Sequence, residues 1–142
     1  MPFPFNTGDT MKLQQVLRHL ENKYKKLPKF NICEDQFCSC DAESLSYVLE
    51  YKSRGADYPD IMIEGLKLQK NLRKAQQTNR EFIYVSEFNG IIRSWNLSKL
   101  VNSGVTFKWE VKWLPVNTEI TEDDEHMWKI VAYLPVELAA EH

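Results

Sequence analysis

The sequence predicts an α/β fold: a central mixed β-sheet of five or more strands, flanked by a helix over residues 10–26 and a second over residues 64–77. Three observations predict it. Apolar residues recur at helical spacing in two separated stretches, runs rich in β-branched and aromatic residues lie between and after them, and Asn89-Gly90 divides two such runs as a hairpin turn does. At 142 residues with 43% hydrophobic content, the chain has material for one packed core. A single domain over 1–142 is therefore expected, with its core at about 10–100 and C-terminal strands at about 105–135.

Asp9 or Thr10 caps the first helix, Leu13, Val16, Leu17, Leu20, Tyr24 and Leu27 form its apolar stripe, and Pro28 ends it. Phe30 to Ser53 reads as two or three strands, one of them the short run Phe37 to Cys40, joined by tight connections. Gly55 to Asp60 breaks the pattern, Ile61-Met62-Ile63 continues extended, and the second helix follows with Leu66, Leu68 and Leu72 toward the sheet. Glu81–Phe88 and Ile91–Trp95 flank Asn89-Gly90 as a hairpin extending the sheet, and Asn96 starts a short helix through Leu100. Val105, Phe107, Trp109, Val111 and Trp113 alternate with polar residues as in a half-buried strand, and Trp128 to Pro135 forms the last strand before a frayed tail. Trp95, Trp109, Trp113 and Trp128 are assigned to the core and sheet faces, because a strand aromatic is more often packing than a stacking platform.

Tyr47 to Arg54 holds the chemistry. Strand side chains alternate, so Glu50 and Lys52 share one face while Leu49 and Tyr51 share the other. A carboxylate and an amine on an apolar strand cost several kcal/mol to bury, about the scale for an unpaired ion, unless they are paired, metal-bound or hydrated. A wet edge strand is the simpler explanation. Asp41 lies nine residues before Glu50, and Ala42-Glu43-Ser44-Leu45-Ser46 can turn the chain back, so two carboxylates and a lysine converge.

This Asp-x(9)-Glu-x-Lys pattern followed by a basic helix resembles the core of the PD-(D/E)XK nuclease superfamily, which includes small phage-borne members. The resemblance covers about residues 10–100 and implies a restriction-endonuclease-like core. It further implies an endo- or exodeoxyribonuclease in which Asp41 and Glu50 hold Mg²⁺ (or Mn²⁺) and Lys52 aligns or activates the attacking water. A first-helix glutamate often adds a metal-site carboxylate in that family; Glu21 fits, and a salt bridge with Lys25 is the competing reading. Cys40 stands where the family carries a proline before the aspartate, which leaves Asp35 and Glu34 as competitors for Asp41. Lys67 or Lys70 would be the helix residue facing the site, and Lys67, Lys70, Arg73 and Arg54 would bind nucleic acid, with DNA favoured over RNA. A homodimer is compatible with the pattern.

The net charge of −2 hides a split: residues 12–80 hold 13 Lys/Arg against 9 Asp/Glu, whereas residues 81–142 hold 5 against 10. The basic part carries the motif, and a polyanion responds to local fields, although solvated helix faces also produce such splits. Glu122-Asp123-Asp124-Glu125 reads as a solvated acidic turn. No apolar run reaches the roughly 18 residues of a membrane span, and the N-terminus lacks a secretion signal, so a cytoplasmic protein without membrane partners is expected. Cys33, Cys38 and Cys40 are expected to be reduced. Two alternatives stand beside the nuclease: a catalytically silent nucleic-acid or protein binding module of the same fold, and a zinc-stabilised interaction protein using the three cysteines and His126.

Overall fold

The computed structural model describes residues 7–24, 29–34, 38–116 and 125–142, with backbone alone for 7–11. Helix α1 spans Thr7–Lys23 and buries Leu13, Val16, Leu17 and Leu20 in one stripe. Each such side chain, fully buried, contributes about 1.5–3 kcal/mol. Strands β1 (Asn31–Ile32), β2 (Ala42–Glu43) and β3 (Tyr47–Ser53) follow, then β4 (Asp60–Glu64) and helix α2 (Gly65–Gln77). The hairpin β5 (Glu81–Phe88) and β6 (Ile91–Asn96) turns at Asn89 and Gly90, whose φ values of 49° and 84° are the left-handed pair that such a turn requires. Helix α3 (Leu97–Asn102) is capped by the Asn96 side chain, which accepts from Lys99 N at 3.0 Å. Strands β7 (Lys108–Pro115), β8 (His126–Pro135) and β9 (Ala140–Glu141) complete the chain.

The fold is α/β with a mixed sheet. Among the described residues its six strands run in the order β1-β2-β3-β5-β6-β9, and of these only β3 and β5 pair in parallel. A parallel pair needs a crossover, which β4 and α2 supply. One face of the sheet packs on α1: Leu49 and Tyr51 join Ala42, Val85 and Ile92 against the α1 stripe. The other face carries the larger core, built from Val48, Phe82, Tyr84 and Trp95, from Leu68 and Ala75 of α2, from Leu97, and from Ile61, Ile63, Ala132 and Leu134.

Several expectations are corrected. Strands β7 and β8 do not extend the central sheet; with β4 they form a separate three-stranded antiparallel sheet, β4-β8-β7, whose Ile61, Ile63, Ala132 and Leu134 close the larger core. The start of α2 lies tight against this sheet, since a Cβ on Gly65 would sit 3.0 Å from the Ile130 carbonyl oxygen. Residues 38–40 form no strand, and Phe37 lies outside the described residues, as do Asp35, Leu27 and residues 122–124. Leu66 points to solvent, whereas Leu68 is buried and Leu72 packs on the core. The C-terminus is tied down: β9 pairs with β6, and the His142 ring bonds Ser94 Oγ at 2.6 Å and Tyr24 OH at 2.8 Å.

Of the four tryptophans only Trp95 is core, its Nε1 donating to Pro135 O at 2.8 Å. The β7–β8 register sets Trp113 opposite Trp128 and Val111 opposite Ile130, with all four, and Trp109, exposed. Alternation marks that face as apolar, but nothing in a single strand's pattern says whether a second layer covers it. Among the described residues, no helix is long and apolar enough to cross a membrane.

Candidate functional site

The β2–β3 connection builds the site. Ser44 Oγ accepts from Ser46 N at 3.3 Å and from Tyr47 N at 3.0 Å, a local side-chain turn that folds the chain back within three residues. Leu49 then faces Ala42, which brings Asp41 beside Glu50. Asp41 is held by three bonds: its N–H donates to Leu49 O at 2.9 Å, its carbonyl accepts from Cys33 N at 2.8 Å, and its Oδ2 accepts from Tyr51 N at 2.8 Å. The last bond places a carboxylate where the ladder would supply a carbonyl. The register sets the Asp41 and Glu50 carboxyl groups side by side, each acting on the other's ionisation, and Glu50 is only 5% exposed.

Helix α2 supplies the opposite charge. Lys67 Nζ lies 3.3 Å from Glu50 Oε1. One turn earlier, Glu64 pairs with Lys129 at 3.1 Å. One turn later, Asn71 is fully buried, and neither atom of its amide has a partner. Tyr84 is the β5 partner of Glu50, and its hydroxyl accepts from Arg54 Nη2 at 2.9 Å.

Glu50 is buried and Asp41 half-buried beside it, with Lys67 in contact and the Lys52 charge acting on Asp41, where solvation is poor. Burial, then Asp41, pushes the Glu50 pKa up to about 8, although Lys67 opposes the change. Burial also raises Asp41, against the Tyr51 N–H and the Lys67 and Lys52 charges. For Lys67, burial acts to lower the pKa, but Glu50, Glu64 and Asp41 outweigh it and the net direction is upward. Both carboxyls are therefore held more readily protonated than free ones, Glu50 the more strongly. A divalent cation between the two carboxyls would replace such a proton, and an all-oxygen pair of this kind suits Mg²⁺ or Mn²⁺.

Asp41, Glu50 and Lys67 come together, and the Lys52 charge acts on Asp41 from the Glu50 side of β3. Glu21 does not join them: α1 packs on the face of the sheet carrying Leu49 and Tyr51, opposite Glu50. Lys70 and Arg73 lie exposed on the outer side of α2. Arg54 is not available to phosphate, because its Nη2 bonds both Met62 O and Tyr84 OH and its Nε is buried. Glu34 is exposed, and Asp35 lies outside the described residues. Asn71 and Glu64 escaped the sequence reading. The polar seam Glu64, Lys67, Asn71, Lys74 at helical spacing beside an apolar stripe is the signal that could have found them.

The cysteines also differ from expectation. Cys33 and Cys38 form a disulfide and Cys40 is free and buried, so the set is not fully reduced. His126 stacks on Trp113 in the second sheet and is no part of their cluster. Their neighbours are Glu43 and Lys74, with Arg80 also on Glu43 at 2.9 Å. Burial pushes the Cys40 thiol up to about 11, which Lys74 only partly offsets.

Comparison with protein-family models, with curated proteins and with solved structures yields no match.

Proposed function

We propose that the chain is a divalent-metal-dependent nuclease with a restriction-endonuclease-like core, acting on phosphodiester bonds of DNA. The observation that carries this reading is the buried Asp41–Glu50 contact, faced by Lys67 and flanked by Lys52. A structural ion pair needs one carboxylate; forcing two together in a poorly solvated place is costly and is found where a cation or a proton is to be held. Asp41 and Glu50 would hold Mg²⁺, which when bound lowers the pKa of water and neutralises charge on the phosphate.

The chain's own residues do the rest. Asp41 is fixed by its three backbone bonds, so its carboxylate does not reorganise when substrate arrives. Lys52, on the Glu50 face of β3, would orient the attacking water or stabilise the extra negative charge on phosphate. Lys67 would exchange its contact with Glu50 for one with substrate. Lys70 and Arg73, exposed on α2, would follow the phosphate backbone.

The test is cleavage of supercoiled, linear, branched and single-stranded DNA, and of RNA, with Mg²⁺ or Mn²⁺. Glu50→Gln and Lys52→Ala should each lose on the order of 10²–10³ in rate, the scale for removing one preorganised electrostatic contributor. Equal cleavage by all three proteins would assign the activity to a contaminant.

A second reading, a silent binding module, is favoured by the exposed Trp109, Trp113 and Trp128 face. Aromatic platforms stack nucleic-acid bases or dock protein partners. Absence of cleavage on every substrate selects it.

A further inference from the structure

Apart from Asp41 and Glu50, the polar cluster with a composition of its own is at the N-terminal edge of the sheet, where Cys33, Cys38, Cys40 and Glu43 place four ligand atoms within 4.8 Å of one another. The Cys33–Cys38 disulfide accounts for two of them. It leaves unexplained why a third sulfur, Cys40 Sγ, lies 3.4 Å from Cys38 Sγ and why a carboxylate completes the group.

We propose that, once the Cys33–Cys38 disulfide is reduced, Cys33, Cys38, Cys40 and Glu43 bind one Zn²⁺ in a tetrahedral site, and that the disulfide is the closed state of that site. Zinc–sulfur bonds of about 2.3 Å in a tetrahedron separate the sulfurs by about 3.8 Å; Cys38 Sγ and Cys40 Sγ already lie 3.4 Å apart, and the Cys33 and Cys38 sulfurs have to part to that spacing once their bond is broken. Three sulfurs and one carboxylate are a borderline-soft set that favours zinc over Mg²⁺.

Charge supports the assignment. Zinc with three thiolates and one carboxylate carries two net negative charges, which a half-buried place tolerates only with matching cations. Two are already there. Lys74 Nζ lies 2.9 Å from Glu43 Oε1 and 3.6 Å from both Cys38 Sγ and Cys40 Sγ, and Arg80 Nη2 lies 2.9 Å from the same Glu43 oxygen. An ammonium donating to two sulfurs and a carboxylate is the outer-sphere arrangement that steadies metal-bound thiolates.

The redox step balances simply. A dithiol reductant transfers two electrons and two protons to the Cys33–Cys38 bond, which breaks to two thiols while the reductant closes to its own disulfide. Zinc then displaces the protons of Cys33, Cys38 and Cys40. Zinc in this place would pin Cys40 and Glu43, which flank Asp41, but the site does not depend on what Asp41 does.

The test uses the full chain, reduced by a dithiol and freed of it without air, and titrated with Zn²⁺ and with Co²⁺. Expected are a tetrahedral Co²⁺ spectrum with thiolate charge-transfer bands and, in Glu50→Gln, which removes the carboxylate pair, one Zn²⁺ per chain. Reoxidation to the disulfide should abolish both. Lys74→Met should weaken binding by about 10–100-fold, as loss of an outer-shell partner does, and Cys40→Ser should weaken it by more. Glu50→Gln should leave the cobalt–thiolate bands unchanged, which separates this site from the Asp41–Glu50 pair. If Cys40→Ser fails to fold, thermal unfolding of Glu50→Gln decides: Zn²⁺ should raise Tm in the reduced protein and not in the oxidised one. A cobalt spectrum without thiolate bands in the reduced protein, or the same bands in the oxidised protein, would overturn the proposal.

Discussion

Replacing Glu50 with glutamine should change how stability depends on pH, with a sign fixed by the site's geometry. Glu50 is buried against Asp41, and its pKa rises from 4.5 to about 8 in the folded chain. The folded state therefore holds a proton that the unfolded chain releases as pH climbs through 4.5. Stability is full below that value, falls across the interval, and levels off above about pH 8. At 1.36 kcal/mol per pH unit the loss is roughly 4–5 kcal/mol, an upper figure because Asp41 shares the proton. Glutamine keeps the shape and can still donate to Asp41, but has no proton to lose. Glu50→Gln should thus be less stable than, or equal to, wild type near pH 5 and more stable near pH 8. The assay is urea unfolding at intervals from about pH 5 to about pH 8 with chelator present. His142, whose pKa burial lowers, contributes an opposing slope. It is common to both proteins and cancels in their difference. A wild-type stability that is flat or rises toward pH 8 relative to the variant would refute the buried-pair reasoning.

Neutralising Lys70 and Arg73 together should lower the salt slope of DNA binding by about one or two units, measured by titration at several salt concentrations. Arg54→Ala should leave that slope unchanged while costing about 1–3 kcal/mol in urea unfolding, because its bonds to Met62 O and Tyr84 OH are internal. Trp95→Ala should cost about 3–5 kcal/mol through the cavity it leaves. Trp128→Ser, on the exposed face, should stay within about 0.5 kcal/mol of wild type by the same measurement.

The legible parts of the chain were those governed by local rules. The α1 stripe, the Asn89-Gly90 hairpin, the Asn96 cap and the parity of Glu50 and Lys52 all follow from periods and turn chemistry that a few residues determine. Asp41 was reachable because only three residues separate β2 from β3, which leaves little freedom in register. What escaped depends on distant chain. Nothing near Asp60–Glu64 says that it pairs with β8 some 70 residues later, so the second sheet was invisible and with it the exposed tryptophan face. The same holds for Glu21, whose helix had a clear stripe but no local mark of which sheet face would receive it. Arg54 shows the limit for charged residues: its sequence context resembles any surface arginine, yet the Met62 carbonyl in the middle of β4 captures its guanidinium. Glu43 lay in plain view between Asp41 and the turn, and only Lys74 of α2 and Arg80, just before β5, reveal that it is engaged.

Anomalous diffraction from crystals of the wild-type chain soaked in Mn²⁺ probes the paired carboxylates most directly. A peak should appear about 2.0–2.2 Å from one oxygen each of Asp41 and Glu50, with Lys67 withdrawn from Glu50 and Lys52 lining the same cleft. Manganese seated elsewhere, with Asp41 and Glu50 still side by side in a protein that nonetheless cleaves DNA, would contradict the assignment.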